Sequence, residues 1–362
     1  MSLIIPLASN DPDLLDCLAA IRAGGDVPLV GDHRWSIEQW KHVRAMIVDA
    51  KLPADTAWAT LTSGSSGFPR IVVRSAESWA QSFATVSEYL DVGRGDRIAL
   101  PAPASSSLTL FSLAHSLDYG LTPVTQDAAS LHGTPQTLQR WLSRSPQTPR
   151  RAALIGGSHL DSRLRSLAES QGVRVTAYYG SAELSFVALD DGSGLKAFPG
   201  VDLDIRDGIL WVRSPFIASG YLGAPGPLRM QGAWASVGDR AEIVNGYLRL
   251  LGREDDAILS ASATIVPEEV ESALRGIPGV KDACVFGVPR ESIGALVAAF
   301  IETEPGVTLT ALSLRSAASM LLSPAHCPRR WYAGVLPRTT TGKVARAEVT
   351  RRVLDGEVAP LD

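Results

Sequence analysis

The chain has 362 residues, of which 45% are hydrophobic and 20% charged. At roughly 150 residues per domain this length corresponds to about two domains, and the composition is typical of a globular protein with a sizeable apolar core. With 34 basic and 38 acidic residues the formal net charge is −4. That charge excludes a basic nucleic-acid-binding footprint over the whole chain and gives no reason to expect an anionic membrane as partner.

The cysteine content indicates the compartment. Cys17, Cys284 and Cys327 lie far apart in the sequence, which excludes a disulfide framework and a CxxC metal site and favours a reducing, cytoplasmic environment. The N-terminal segment lacks the basic region of a signal peptide. No apolar run reaches the roughly 18 residues of a membrane span. We therefore expect an intracellular protein without a membrane span.

Helical and strand-like segments alternate along the chain as far as Tyr178. The predicted helices cover 14–21, 37–47, 75–90, 108–117, 134–143 and 160–170. The predicted strands cover 57–61, 71–73, 96–101, 152–155 and 173–178. Residues 1–55 are otherwise weakly patterned. Strands separated by helices indicate a parallel sheet that is built of βαβ units.

From Gly200 onward the strands become short and the turns tight. Strands are predicted at 201–205, 209–212, 241–244 and 247–251. The dipeptide Asn245-Gly246 is a strong signal for a β-hairpin. This pattern predicts a small β-rich subdomain that covers about residues 200–252.

A second domain is predicted after residue 253. Its segments are a helix that starts at Pro267, strands at 283–288, 295–302 and 330–334, and helices at 310–321 and 345–355. The sequence thus predicts an α/β fold, with a parallel βαβ sheet and the β-rich subdomain in an N-terminal domain of residues 1–253. A small α+β domain of residues 254–362 follows it.

The loop at residues 62–70, with the sequence TSGSSGFPR, joins two predicted strands. Its glycine amides and four hydroxyl groups suit an anion, and Arg70 adds positive charge. The Walker pattern is excluded, because it requires four residues between the glycines and then a lysine. A solvated Gly/Ser turn and a Ser-Ser-Lys amidase site are the alternatives, and no suitably placed lysine supports the second.

Three further segments carry groups that are typical of ligand sites. Residues 178–183 (YYGSAE) follow a strand, where α/β sheets bind ligands, and they offer aromatic rings and a carboxylate for Mg²⁺. Asp239 and Arg253 suit a ribose diol and a phosphate. Lys343, in a Thr-rich loop, can bring positive charge to a reacting phosphoryl or carboxylate group. Each segment by itself is more often structural: a core tyrosine pair, a turn aspartate, a surface arginine, a flexible basic loop.

In this order, the segments resemble the adenylate-forming superfamily of acyl-CoA synthetases, peptide-synthetase adenylation domains and luciferases. The family patterns TSGSTGxPK, YGxTE, TGD, GRxDD and PRTxTGKxxR correspond here to TSGSSGFPR, YGSAE, VGD, GREDD and PRTTTGKVAR. The resemblance covers about residues 57–350. Within the family, the chain looks like a short bacterial acyl-CoA ligase.

The resemblance implies an enzyme that binds ATP, Mg²⁺ and a carboxylic acid. The carboxylate attacks the α-phosphate of ATP, which gives an acyl-adenylate and pyrophosphate. A mobile C-terminal domain then rotates, and the acyl group passes to the thiol of coenzyme A.

The resemblance also assigns roles to individual residues. The phosphates go to Thr62, Ser63, Gly64, Ser65, Ser66, Gly67 and Arg70. Adenine goes to Gly156, Gly157, Ser158, Tyr179 and Gly180, with Tyr179 stacking on the base. Magnesium goes to Glu183, the ribose to Asp239 and Arg253, the bridge between acyl carboxylate and α-phosphate to Lys343, and the hinge to Asp255.

The chain departs from the family pattern beside these residues. Arg70 replaces the usual lysine of the phosphate loop, with a different reach. Ala182 replaces the usual threonine before the magnesium ligand, and Ser181 and Ser185 are the two candidates to supply the missing hydroxyl. Residues 104–108 lack the histidine that many relatives carry. Residues 260–262 lack the paired glycines beside the pantetheine tunnel, which concerns the transfer to coenzyme A most directly.

The position of the phosphate loop is a further departure. It begins at Thr62, whereas relatives usually have well over 100 residues before it, so we expect an abbreviated N-terminal subdomain. That subdomain would normally wall part of the acyl pocket. An apolar side left exposed favours a homodimer in which a second subunit covers it.

These departures leave three functions open. The first is an acid–CoA ligase, the second an adenylating enzyme that transfers the acyl group to an amine or a carrier-protein thiol, and the third a catalytically impaired nucleotide-binding paralogue. Lys343 and Glu183 argue against the third. The expected acyl pocket, residues 105–111, 156–158 and 181–186, has no basic residue, which favours a fatty or aryl monocarboxylate over a dicarboxylate.

Overall fold

The structure is a computed structural model that describes residues 2–48, 50–62, 70–145, 147–223, 225–253, 258–260, 263–265, 267–290, 294–339 and 342–362. The chain divides into two units. Unit 1 comprises residues 1–206, 210–237 and 243–248, and unit 2 comprises residues 207–209, 238–242 and 249–362. In the described ranges no helix is both long and apolar enough to cross a membrane.

The elements follow the chain in this order. The helices are α1 (Leu14–Ala23), α2 (Ile37–Ile47), α3 (Glu77–Leu90), α4 (Ser107–Tyr119), α5 (Pro135–Leu142), α6 (Ser162–Ser170), α7 (Pro267–Arg275), α8 (Ala311–Leu321) and α9 (Arg346–Leu354). The strands up to residue 206 are β1 (Ile4–Ala8), β2 (Val27–Gly31), β3 (Thr56–Thr62), β4 (Arg70–Ser75), β5 (Arg97–Ala99), β6 (Thr122–Val124), β7 (Ser130–Gly133), β8 (Ala152–Ile155), β9 (Arg174–Ser181), β10 (Ser185–Asp190), β11 (Lys196–Ala197) and β12 (Asp202–Arg206). The later strands are β13 (Ile209–Arg213), β14 (Gly220–Leu222), β15 (Arg229–Gln231), β16 (Trp234–Ser236), β17 (Asp239–Val244), β18 (Tyr247–Arg253), β19 (Ile258–Ser260), β20 (Ala263–Ile265), β21 (Val280–Arg290), β22 (Gly294–Thr303) and β23 (Arg330–Ala333).

The first sheet of unit 1 has five strands in the order β1-β2-β3-β4-β14. β1, β2 and β3 are parallel and are connected through α1 and α2, whereas β4 is antiparallel to both of its neighbours. The weakly patterned N-terminal residues therefore form two βα units. Their strands were not predicted, and the reason is that Pro6 and Pro28 interrupt the strand-like runs.

The second sheet of unit 1 has seven strands in the order β11-β10-β9-β8-β7-β5-β6. The five strands from β6 to β9 are parallel, which confirms the predicted βαβ arrangement. β10 and β11 extend the sheet as antiparallel edge strands. Every residue of β8 is 0% exposed, as expected for a central strand that is covered on both faces.

An aromatic core joins the two sheets of unit 1. α3 and α4 each contact strands of both sheets. Trp58 of β3 packs against Trp79 of α3, which packs edge-on against Phe111 of α4 with ring centroids 5.6 Å apart. Phe111 in turn contacts Phe186 of β10 at 5.0 Å. Edge-to-face pairs of this kind add to the free energy that burial itself contributes.

A buried polar chain runs through this core. His132 is 0% exposed; its Nδ1 lies 2.6 Å from Ser112 Oγ, and its Nε2 lies 3.1 Å from the Tyr178 hydroxyl. Ser112 Oγ donates to the Leu108 carbonyl, so Nδ1 carries the proton and Nε2 accepts from Tyr178. Burial lowers the pKa of His132 to about 3, and the neighbouring His115 contributes in the same direction. The imidazole is therefore neutral and fixes the Tyr178 ring.

The hairpin between β9 and β10 depends on Gly180. A Cβ atom at this position would lie 2.0 Å from the Ser185 carbonyl oxygen, closer than any side chain tolerates. Ser185 itself has a φ of 59°, and Ser181 Oγ accepts a hydrogen bond from the Leu184 amide. The hairpin thereby holds residue 183 in a defined place at its turn.

The β-rich stretch that was predicted after Gly200 forms antiparallel pairs. In unit 1, β16 pairs with β15 and, at Ala235, with Val212 of β13. In unit 2, Ile209 of β13 pairs with Arg240 of β17. The turn between β17 and β18 has positive φ at both Asn245 and Gly246, which is the type I′ geometry that this dipeptide predicts.

Unit 2 is an α+β sandwich, as the sequence predicts. β21 and β22 form its central antiparallel pair, β19 and β20 extend the sheet beside β22, and β23 pairs parallel with β22. Successive side chains of β21 point to opposite faces of the sheet and pack in two different apolar clusters. Val285 packs in a cluster with residues of α7 and α8, whereas Phe286 packs in a cluster with residues of α9. The mixed α/β class is thereby confirmed.

The first prediction concerns the hairpin. Gly180→Ala places a methyl group against the Ser185 carbonyl, and we expect it to lower the free energy of unfolding by about 1–3 kcal/mol, the usual cost of overpacking. The matched control is Gly93→Ala, whose added Cβ has no atom within 4 Å. Urea unfolding followed by circular dichroism measures both. Equal midpoints for the two variants would contradict the close approach at Gly180.

The second prediction concerns pH. Burial lowers the pKa of His132 to about 3 and that of His115 to about 4, whereas both titrate near 6.5 in an unfolded chain. Between these values the unfolded chain binds more protons, so stability is complete above pH 6.5 and falls as the pH drops through this window. His132→Gln should flatten the fall of the urea midpoint between pH 6.5 and 4.5. Replacing the exposed His42 by Gln should leave it unchanged, and identical slopes in all three proteins would refute the assignment.

Candidate functional site

Glu183 lies at the turn of the β9–β10 hairpin and is only 7% exposed. Its Oε1 accepts a hydrogen bond of 2.8 Å from the Tyr221 hydroxyl. Tyr221 belongs to β14, where it lies opposite Val72 of β4. The hydrogen bond therefore connects a hairpin of the second sheet with a strand of the first.

The predicted phosphate loop leaves the same region of the first sheet. Thr62 ends β3, Arg70 begins β4, and the two residues pair directly across the antiparallel strands. Both are half-buried. The loop residues Ser63, Gly64, Ser65, Ser66 and Gly67, which were predicted to bind phosphate, lie outside the described residues.

Glu183 and Arg70 both act electrostatically on the Tyr221 phenol. The pKa of the Tyr221 phenol is raised above its ordinary value, first by burial and next by the Glu183 carboxylate, while the Arg70 guanidinium acts in the opposite direction. The phenol therefore stays protonated and able to donate to Glu183. The structure thus brings together two of the sequence segments, the end of the phosphate loop and the YGSAE stretch.

The glycines predicted to hold adenine follow β8. Gly156 donates its amide to the Gly133 carbonyl, and a Cβ at Gly156 would lie 2.1 Å from the Tyr178 ring. Gly157 has a φ of 86°, and Ser158 is exposed. Tyr178 therefore needs a glycine at position 156 in order to reach its place in the core.

The two adjacent tyrosines have different surroundings. The Tyr178 hydroxyl is bound to His132, and burial raises the pKa of the Tyr178 phenol above its ordinary range. Tyr179, the predicted stacking residue, is half-buried and follows Tyr178 in β9, so its side chain points to the opposite face of the strand. The alternative of a structural tyrosine describes Tyr178, and Tyr179 remains the candidate for a base.

The remaining predicted site residues belong to unit 2. Asp239 begins β17 and is half-buried. Arg253 ends β18, and its side chain lies outside the described part of the chain, as does Asp255. Lys343 is exposed, in the segment that leads into α9.

The segment that carries Lys343 is held by main-chain hydrogen bonds. The Thr339 amide donates to the Lys343 carbonyl at 2.7 Å, and the Gly342 amide donates to the Thr339 carbonyl at 2.9 Å. Arg338 forms a β-bridge with Val344. This narrow loop presents Lys343 to solvent.

Arg338 fastens the loop to the sheet of unit 2. Its guanidinium donates to Asp282 at 2.8 Å and to Glu302 at 3.2 Å. Glu302 also accepts from the Leu336 amide and pairs with Lys281. Salt bridges and hydrogen bonds together hold the pKa of Glu302 below its ordinary value, against the effect of burial. The base of the loop is therefore fixed while its lysine stays exposed.

Tyr221 and His132 were not singled out by the sequence analysis. Tyr221 lies in a three-residue strand after a glycine, and nothing in the local pattern links it to Glu183, which is 38 residues away. His132 lies two residues before the helix predicted at 134–143. Both acquire their partners only through contacts between strands that are distant in sequence.

The donor set around Glu183 is compatible with magnesium. Among the described residues no group of three or more His, Cys, Asp or Glu side chains is placed to hold a metal ion. A single carboxylate nevertheless fits Mg²⁺, because proteins usually bind this ion through one or two carboxylates together with phosphate oxygens of the substrate. Glu183 can provide that carboxylate.

Comparisons with known proteins identify chains to which this one is similar. Residues 269–343 match the family of AMP-binding enzyme C-terminal domains. A putative long chain fatty acid–CoA ligase of Staphylococcus epidermidis, VraA, is 25% identical, over 94% of this chain and 85% of the relative. A probable 2-succinylbenzoate–CoA ligase of Mycobacterium tuberculosis is 27% identical, over 97% of this chain and 98% of the relative.

The fold has counterparts among solved structures. A variant of E. coli MenE with bound OSB-AMS matches with a TM-score of 0.82 at 21% identity, over 97% of this chain and 88% of that one. That likeness concerns the fold, including a large N-terminal and a small C-terminal domain. The match of the C-terminal domain and the acyl-CoA ligase relatives identify this chain as a member of the adenylate-forming superfamily.

Proposed function

We propose that this protein is an AMP-forming acid–CoA ligase, which uses ATP to activate a carboxylic acid and transfers the acyl group to coenzyme A. The observation that carries the proposal is the juxtaposition of Arg70, Tyr221 and Glu183 at the end of the predicted phosphate loop. Support also comes from relatives that are named as ligases of long chain fatty acids and of 2-succinylbenzoate. We propose a fatty or aryl monocarboxylate as the acid.

In the first step a carboxylate oxygen of the acid attacks the α-phosphorus of ATP, and the bond to pyrophosphate breaks. A carboxylate is already a nucleophile at neutral pH, so the step requires alignment and charge neutralisation rather than a base. The residues that we propose for the phosphates are Thr62, Ser63, Gly64, Ser65, Ser66, Gly67, Arg70 and Ser181. Lys343 neutralises the charge that the acyl carboxylate and the α-phosphate share.

Glu183 is the residue that we propose to hold Mg²⁺, which when bound neutralises charge on the phosphates of ATP. Gly156, Gly157, Ser158, Tyr179 and Gly180 bind adenine, with the half-buried Tyr179 ring stacked on the base. Asp239 and Arg253 bind the ribose. Asp239 accepts hydrogen bonds from the two hydroxyl groups, a task that suits a carboxylate.

In the second step the sulfur of coenzyme A attacks the acyl carbonyl carbon, its thiol proton is lost, and AMP leaves. We propose that residues 254–362 form a cap domain that turns at Asp255 between the two steps. This rotation moves Lys343 away from the reacting groups before the transfer to coenzyme A. A homodimer in the cytoplasm is the assembly and location that we propose. The cysteines Cys17, Cys284 and Cys327 are all free thiols, which suits a reducing compartment.

The third prediction tests the activity. ATP–pyrophosphate exchange with fatty, aryl and dicarboxylic acids should be fastest with one or more monocarboxylates, and mass spectrometry after addition of coenzyme A should detect the acyl-CoA. Exchange without acyl-CoA would assign the acyl group to an amine or a carrier-protein thiol. A protein that shows no exchange with any acid would be a nucleotide-binding paralogue, and the proposal would be wrong.

The fourth prediction tests the role of Lys343. Lys343→Ala removes the charge that the adenylation step needs, so we expect exchange to fall by at least about 100-fold, a loss of roughly 3 kcal/mol in transition-state stabilisation. Transfer to coenzyme A from a preformed acyl-adenylate should be retained. The control is Lys51→Ala, at an exposed lysine of unit 1. Equal loss of both half-reactions in Lys343→Ala would contradict the assigned role.

A further inference from the structure

Arg74 is an unusual residue for its place in the fold. It lies in β4 directly after Ile71, Val72 and Val73, and it is itself 0% exposed. Transfer of a charged group from water into a protein interior costs several kcal/mol unless partners compensate it. Burial lowers the pKa of Arg74 to about 9, and the Glu183 carboxylate opposes that change. The side chain therefore remains a cation at neutral pH.

The partners of the Arg74 guanidinium are main-chain carbonyls, one hydroxyl group and the ring of Trp79, whose centroid lies 4.9 Å away. One terminal nitrogen donates to the Ala182 carbonyl at 2.7 Å and lies 3.5 Å from the Glu183 carbonyl. The other donates at 3.3 Å to the Phe216 carbonyl and to Ser78 Oγ. In the part of the chain that the structure describes, no salt bridge joins Arg74 to a carboxylate. Arg74 therefore binds the backbone of the residues that carry Glu183.

Tyr221 complements Arg74 from the adjacent strand. In the β4–β14 pair, Gly220 lies opposite Val73 and Tyr221 opposite Val72. Tyr221 holds the carboxylate of Glu183, while Arg74 holds the main chain just before it and attracts the same carboxylate. Both strands belong to the sheet from which the predicted phosphate loop leaves, and β4 begins where that loop ends.

An apolar side chain at the position of Arg74 would avoid the desolvated charge but would leave the carbonyls of Ala182 and Phe216 without this donor. Arg74 Nε is buried and makes no hydrogen bond to the described residues, so the fold accepts an unsatisfied donor in addition to a desolvated charge. Removal of one partner from a buried polar contact leaves the other partner unsatisfied and is destabilising. The retention of arginine is therefore explained by the main chain that it binds, which includes Ala182 and Glu183.

We propose that Arg74 and Tyr221 are positioning residues that fix the Glu183 carboxylate relative to β4 and β14, so that Mg²⁺ and the phosphates of ATP bind in register. This inference rests on the proposed function. It extends that function to two side chains that are expected to touch neither the acid nor the nucleotide. They act through Glu183, one on its carboxylate and one on its main chain.

The fifth prediction tests this arrangement with three variants. Tyr221→Phe removes one hydroxyl, Arg74→Lys keeps the charge but not the planar fork of donors, and Arg74→Met removes both at similar volume. The control is Arg150→Met, because Arg150 also donates to carbonyls, of Trp141 and Arg144, and lies over the Trp141 ring, far along the chain from Glu183.

The readout is the affinity for ATP with Mg²⁺ and with EDTA, measured by isothermal titration calorimetry without any acid. For the wild type we expect Mg²⁺ to tighten ATP binding. In Tyr221→Phe and in Arg74→Met, the increase in ATP affinity that Mg²⁺ causes should be about tenfold smaller than in the wild type, as expected for loss of a hydrogen bond to a charged group. The affinity of both variants for ATP in EDTA should change little. Arg74→Lys should lie between them and the wild type, and Arg150→Met should behave as the wild type.

The outcomes separate the two proposals. A wild type that binds no ATP under either condition refutes the proposed function and this inference with it. A wild type that gains affinity from Mg²⁺, with variants that gain equally, refutes the positioning role alone. If Arg74→Met does not fold, as judged by its thermal midpoint, Tyr221→Phe and Arg74→Lys decide. An equal loss of affinity with and without Mg²⁺ in both would indicate a purely structural role and overturn the inference.

Discussion

The contact between Tyr221 and Glu183 is the constraint on which the geometry of unit 1 depends. The two residues come from different sheets, and a hydrogen bond between a phenol and a buried carboxylate leaves little freedom in their separation. Arg74 adds a second connection at the same place through the Ala182 carbonyl. Because Tyr221 and Arg74 belong to the first sheet and Glu183 to a hairpin of the second, these polar contacts fix the Glu183 carboxylate relative to β4 and β14.

The core of unit 1 beside this contact consists of closely packed aromatic rings and a buried chain of hydrogen bonds. Aromatic rings from β3, α3, α4 and β10 pack one against the next between the sheets. Among them, His132 accepts a hydrogen bond from Tyr178 and donates one to Ser112. Burial keeps His132 neutral, so the chain of hydrogen bonds has one direction at neutral pH. A fully satisfied buried network of this kind favours one arrangement of the strands over others. It places Tyr178 against Gly156 and leaves Tyr179 at the half-buried face.

In unit 2 the expected catalytic residue, Lys343, is exposed, and only the loop that carries it is fixed to the sheet. Arg338 binds Asp282 and Glu302 on the central strands, and main-chain bonds close the loop between Thr339 and Lys343. A lysine on such a loop can reach a ligand without any rearrangement of the sheet beneath it. In unit 1 the charged groups are buried and fixed, whereas in unit 2 the expected catalytic charge is exposed and only its support is fixed.

The sequence by itself determined the α/β class, part of the elements and the likeness to the superfamily, because periodicity and short motifs are local properties; α2 and β8 have the predicted bounds. It did not predict β1 and β2, because Pro6 and Pro28 interrupt their apolar runs. Pairing with a neighbouring strand stabilises both. Tertiary structure alone decided which tyrosine is structural and that Tyr221 holds Glu183. It also decided that Arg74, a charge within an apolar strand, binds the main chain beside Glu183. Each of these depends on residues that are far apart in sequence, and no local pattern encodes such a partner.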